Sequence, residues 1–253
     1  MKKIIFNVTV FICVAISFLL VSCEKPSDCF ESTGDIITKD FDVSNFNAIY
    51  VHKGIEMIIT QGSEFKVQVK TGENLMGDIS VVVENNALIL RDNTTCNWVR
   101  EYGQTKVYVI TPMLDFLEIH SRTEKDITSN GVLTYPILRL ISIDLEEGAG
   151  TNDFHIQVNN SQTVIGNNNV SRFYISGQTN ELLLEFYDGH GRFEGENLIA
   201  RSINVYHRGS NDMIVYPTES ITGQMVSTGN IILKNVPPII NVEELYQGSV
   251  VYP

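Results

Sequence analysis

Four residues in the last third of the chain are of the types that acid–base chemistry uses: His190, Arg192, His207 and Arg208. Imidazoles exchange protons near neutral pH and guanidinium groups hold oxyanions, so the group has the look of a catalytic cluster. A second candidate is the acidic turn DLEEGAGTND, where Asp144, Glu146, Glu147 and Asp153 offer the oxygen ligands that calcium takes. Their spacing matches neither an EF-hand loop nor a glycine-aspartate nonapeptide, so they are weak ligand candidates and no metal or cofactor is expected. The chain contains no GxSxG elbow, HExxH pair, P-loop or dinucleotide fingerprint.

The elements that would position these residues are strands. Apolar residues alternate over short runs such as IEMIIT, FKVQVK and KVYVIT, and helical spacing is almost absent. ISVVVENNALILRD predicts a hairpin, because Asn85 and Asn86 tolerate the left-handed backbone of a tight turn. From about residue 117 the pattern becomes periodic. GTNDFHI at 150–156 and GSNDMIV at 209–215 are nearly the same seven residues, 59 positions apart. Between and around them, apolar anchors after turns rich in Gly and Asn fall at Ile127, Phe154, Phe173, Phe193, Met213, Ile231 and Val250, spaced 27, 19, 20, 20, 18 and 19. A period near 20 with short strands in each unit predicts an all-β solenoid, with a less regular β portion before it. The 59-residue separation is then three coils.

That alignment assigns each polar residue a column. Two places after the anchor stand Ile156, Ile175, Gly195, Val215 and Leu233, which should point inward. Just before it stand Asp153, Arg172, Arg192, Asp212 and Asn230, which should point outward. Adjacent coils lie about 4.8 Å apart, so cross-coil pairs are expected between Asp153 and Arg172, Arg192 and Asp212, and Asp188 and Arg208, with Tyr187 beside His207. On this view the four-residue cluster is a set of solvent-side partners and no catalytic residue is expected.

The N-terminus carries Lys2 and Lys3, an apolar run and then Leu20-Val21-Ser22-Cys23. This is the layout of a secretory signal, and the tetrad resembles a bacterial lipobox, which implies cleavage before Cys23 and lipid on that residue. Residues 1–22 are then the signal, 23–35 a polar tether and 36–253 a single domain. Several acyl chains would hold the protein at a membrane surface, where one chain binds only marginally. Losing the signal removes two lysines and no acid, so the formal charge of -12 becomes -14. Nucleic acid demands a basic face and is excluded as a partner. Cys29 and Cys96 remain, and in an oxidising compartment they are expected to pair, closing a loop that would stabilise the fold by roughly 4 kcal/mol.

The succession FDVSNFNAIYVHKGIEMIITQG, VKTGENLMGDISVVVENNALILRD and TKVYVITPMLDFLEIHSR, followed by Gly-x-Asn-Asp turns, resembles the head GIN domain family of putative auto-transporter adhesins over about residues 36–233. The resemblance implies a right-handed parallel β-helix-like fold, a handedness that parallel crossovers also favour. It brings no catalytic residues with it. The leading expectation is a non-enzymatic lipoprotein of the outer membrane, facing the exterior or the periplasm, that offers a stiff β-face to a glycan or protein. The alternative is a carbohydrate-active enzyme of the polysaccharide lyase or hydrolase kind, which rests on fold analogy alone. The short last unit, YQGSVVYP, ends without a cap, and an open edge invites homo-oligomerisation.

Overall fold

The computed structural model describes residues 32–94, 104–143 and 150–253. The strands before the periodic region are β1 (Ile36–Phe41), β2 (Ala48–His52), β3 (Ile55–Gln61), β4 (Lys66–Gly72), β5 (Ile79–Glu84), β6 (Ala87–Asp92), β7 (Thr105–Thr111) and β8 (Phe116–Arg122). Those that follow are β9 (Ile127–Leu133), β10 (Ile137–Ser142), β11 (Asp153–Asn167), β12 (Arg172–Phe186), β13 (Arg192–His207), β14 (Met213–Met225), β15 (Ile231–Leu233), β16 (Ile239–Glu244) and β17 (Val250–Val251). One 3-10 turn, Met76–Asp78, is the only helical element among the described residues, and none of their helices is long and apolar enough to cross a membrane.

The strands form a flattened solenoid of about six turns with a repeat of about 21 residues. Its first face runs β7, β3, β9, then the leading halves of β11, β12, β13 and β14, then β15 and β17, all parallel. Its second face runs β6, β2, β8, β10, the trailing halves of β11 to β14, and β16, again all parallel. Each long strand bends once at a corner and so serves both faces. The inward side chains of the two faces meet in one continuous apolar core.

All seven anchors stand in one column: Ile127, Phe154, Phe173, Phe193, Met213, Ile231 and Val250 are paired rung to rung. Except for Val250 they are fully buried, and the rings of Phe154 and Phe173 stack with centroids 4.7 Å apart. The inward column two places on also holds, including its apparent defect. A side chain at Gly195 would collide with the ring of Phe193, which fills that space itself.

The part before residue 117 is not a coil in chain order. The rung made by β2 and β3 sits between the β6–β7 rung and the β8–β9 rung, so the chain leaves a gap that an earlier segment fills. Beyond the β6–β7 rung, β4 pairs antiparallel with β7, β1 with β4, and β5 with β6. The β5–β6 hairpin turns through Asn85 and Asn86, with φ of 50° and 62°. Leu75, Met76 and Ile79 are buried under this end, which is thereby capped. At the other end Val236, Ile239, Leu245, Tyr246, Val251 and Tyr252 are each at least 40% exposed beside the outer strands β16 and β17.

Candidate binding faces

Cross-coil packing fixes where each candidate residue points. On the first face Arg172 grips Asp153 with two parallel hydrogen bonds, Nε to Oδ1 at 2.7 Å and a terminal nitrogen to Oδ2 at 2.8 Å. The next rung behaves differently. Arg192 donates to Glu194 on its own strand, and Asp212 accepts from the backbone and side chain of Asn230. The expected Arg192–Asp212 pair is therefore replaced by two other contacts.

The turn between the faces requires a further correction. β13 carries an extra residue in a bulge after Glu194, so Phe186 rather than Tyr187 is level with His207. Tyr187 packs near Tyr206 instead, with ring centroids 5.9 Å apart. Asp188 accepts the N–H of its neighbour Gly189, and no ion pair between Asp188 and Arg208 is found among the described residues. His190 shares a hydrogen bond with Ser210. His207, expected on the solvent side, is only 1% exposed and lies edge-on to Phe186 in the column that continues to Met225. The N–H of Gly209 donates to its Nδ1. Burial pushes its pKa below the ordinary histidine value, against the opposing pull of the Asn211 backbone and the Asp212 carboxylate. The four candidates for a catalytic cluster thus occupy separate environments, one of them inside the core.

Of the acidic turn, Asp144, Glu146 and Glu147 lie outside the described residues, while Asp153 is the carboxylate held by Arg172. No group of three or more potential metal ligands occurs among the described residues. Cys23, Cys29 and Cys96 also lie outside them.

The outward column one place after the anchor went unread in the sequence and carries the most distinctive surface. It runs Thr128, His155, Tyr174, Glu194. His155 and Tyr174 stack with centroids 4.8 Å apart and planes 5° from parallel. With Gln157, Ser176 and Asn197 they line a shallow depression of about 380 Å³, walled on one side by the β13 bulge. Two such residues a coil length apart, both aromatic and both one place after a buried Phe, were the signal available in the sequence.

The second face holds an equivalent rib. Tyr50 and His120 stack with centroids 4.3 Å apart, and the Arg122 guanidinium lies 5.5 Å from the Tyr50 ring centroid. Glu118 accepts from Arg139 at 2.7 Å and meets His120 Nε2 at 3.2 Å. Burial lowers the His120 pKa more than Glu118 raises it. These contacts make a stiff, chemically varied surface in which each side chain is braced by the rung beside it.

Parallel rungs, a shared inward column and braced outward ribs define a two-faced β-solenoid whose candidate surfaces are its open faces. The chain belongs to the head GIN domain family, described as "Putative auto-transporter adhesin", whose model matches residues 45–237. Solved structures share the fold. One from Bacteroides fragilis, described as a putative adhesin, is 23% identical with a TM-score of 0.74, covering 88% of this chain and 100% of its own. Another putative adhesin, from Parabacteroides merdae, is 14% identical with a TM-score of 0.60 and coverage of 88% and 98%. A third, from Parabacteroides distasonis, is described as a putative lipid binding protein; it is 16% identical, with a TM-score of 0.54 and coverage of 87% and 99%. Among curated proteins no relative matches the chain.

Proposed function

We propose that this protein is a lipid-anchored binding scaffold of the bacterial outer membrane, adhesin-like and non-catalytic. The observation that carries the reading is the pair of ribs, one on each face, in which side chains of adjacent rungs brace one another. Such surfaces bind by presenting preformed contacts, which lowers the entropic cost of association. The histidines support the non-catalytic part, because each is tied to a local partner or buried: His155 on Tyr174, His120 on Tyr50 and Glu118, His190 on Ser210, and His52 and His207 buried. Cys23 is the proposed lipid site and the polar segment 23–35 the proposed tether.

The test is protease shaving of intact cells expressing an epitope-tagged form, with lysed cells as the control, alongside a Cys23→Ala variant. Digestion in intact cells, lost from the membrane fraction in Cys23→Ala, is the expected result. Digestion only after lysis would argue for a periplasmic scaffold and against adhesion. Self-association through the exposed apolar C-terminal end belongs to the same proposal. A monomer mass in light scattering at micromolar concentration would remove it.

A further inference from the structure

We infer that the corner between the two faces is a binding site for a neutral oligosaccharide lying along the solenoid axis. The inference rests on the scaffold reading above and gives it a ligand class and a place.

At this corner each long strand bends, and three columns run side by side. The middle column, Asn160, Thr179, Ala200 and Pro217, is paired rung to rung and forms a floor. Thr179 and Ala200 in it are 4% and 0% exposed. On one side of the floor Asn159, Gln178 and Ile199 stand in register as a wall, and Ser161, Asn180 and Arg201 project on the other side as exposed residues. Between the walls lies a trough of about 420 Å³, open to solvent and elongated across the rungs.

The polar atoms of the floor are already committed. Asn160 donates to the Gln162 carbonyl, Thr179 to that of Glu181, Thr218 to that of Ala200 and Asn235 to that of Pro217. A peptide strand docks through main-chain hydrogen bonds at an open edge, and this corner offers none. The walls are the reverse case. Among the described residues no group hydrogen-bonds to the exposed side chains of Asn159, Ser161, Gln178 and Asn180, so on consecutive rungs they hold out groups able both to donate and to accept. Sugar hydroxyls have the same dual character.

Charge narrows the class. The one cation of the trough, Arg201, is paired with Glu219 at 2.7 Å, and nearby Glu181 accepts from Gln162 at 2.9 Å. Glu219 beside Arg201 and the charged Glu181 nearby leave the trough with no excess of positive charge to hold a polyanion, and no carboxylate stands in its lining to select a polycation. Exposed Ile199, at 44%, and exposed Pro136 give the apolar ring face of a sugar a surface to rest on. The rungs repeat at about 4.8 Å, close to the advance of an extended pyranose chain, so successive sugars would meet successive rungs.

The experiment titrates the purified mature chain, by calorimetry and by saturation-transfer NMR, with neutral hexasaccharides (xylan-, mannan-, cellulose- and laminarin-derived) and with polygalacturonate as the charged probe. Binding of at least one neutral hexasaccharide, weakened about tenfold or more by Gln178→Ala combined with Asn180→Ala, is expected. Both positions are exposed, so the melting temperature should stay unchanged, and Glu84→Ala, exposed on β5 at the capped end, should leave the affinity intact. Neutral binding that survives the double variant overturns the trough while leaving the scaffold reading in place. No neutral binding, or binding of polygalacturonate alone, overturns the inference outright, and cell shaving then tests the scaffold reading independently.

Discussion

The two ends of this solenoid are built by different rules. From β9 onward the chain advances one rung at a time, and each side chain meets the residue about one coil earlier in sequence. Before that, a rung is inserted out of order and the end is closed by antiparallel strands. A repeating column fixes positions by stacking like on like, so a single residue is constrained by the backbone of the rungs beside it. The cap is held by unique contacts such as the Phe46–Phe65 edge-to-face pair and the buried hydroxyl pair of Thr71 and Thr105. Tolerance to substitution should therefore differ between the two regions.

The largest effects fall at confined glycines, which both regions hold: at the capped end an added Cβ on Gly72 would lie 2.1 Å from the Thr33 carbonyl oxygen. Gly223, in the ladder, has φ of 130°, and an added Cβ would lie 1.9 Å from the Val205 carbonyl oxygen. Gly223→Ala should cost about 5 kcal/mol in denaturant titration or prevent folding altogether. Gly77, in the 3-10 turn of the capped end, has nothing within 4 Å of such an atom, and Gly77→Ala should stay within about 0.5 kcal/mol. Equal effects would remove the distinction between confined and open glycines. Next in size is Phe173→Ala, which opens a cavity beside the Phe154 ring and should cost about 3 to 4 kcal/mol.

A smaller effect comes from pH. His207 has a folded pKa below its unfolded value, so the unfolded chain takes up a proton that the core refuses. Stability contributed by the neutral ring is full above about 6.5 and is lost as pH falls from there through the lower folded pKa. His120 acts in the same direction. His207→Phe should flatten the acid side of the stability profile in part, leaving the His120 share; an unchanged profile would show that the buried ring is not the source.

The smallest effects belong to the exposed ladder charges. Asp153→Ala removes a bidentate contact whose arginine is 52% exposed and should cost no more than about 1 kcal/mol. Asp188→Ala, which loses one local turn contact, should stay within about 0.5 kcal/mol. A loss of several kcal/mol at either position would mean that the outward columns are load-carrying after all.

How much was legible follows the same division. Phe154, Phe173, Phe193 and Met213 could be aligned from sequence because every rung buries the same kind of residue at the same place. The charge pairs were less legible: Arg192 precedes the bulge and bonds Glu194 instead of Asp212, while the extra residue in β13 puts Asp188 out of step with Arg208 and leaves only the small residue Gly195 as its trace. His155 and Tyr174 were visible as types and not as a stack, because stacking depends on a register that only paired strands define.

The sequence by itself determined that the chain is all-β, that its second half repeats near every 20 residues, and which side chains fill the shared column. These are properties of local pattern, since burial on one side of a strand dictates alternation and a constant coil length dictates period. Only the tertiary structure decided that β2 and β3 slot between later rungs, that His207 turns inward, and that unpaired amides line a corner between two faces. Each of these depends on which strands lie side by side, and hydrogen-bonded neighbours far apart in sequence leave no periodic mark on it.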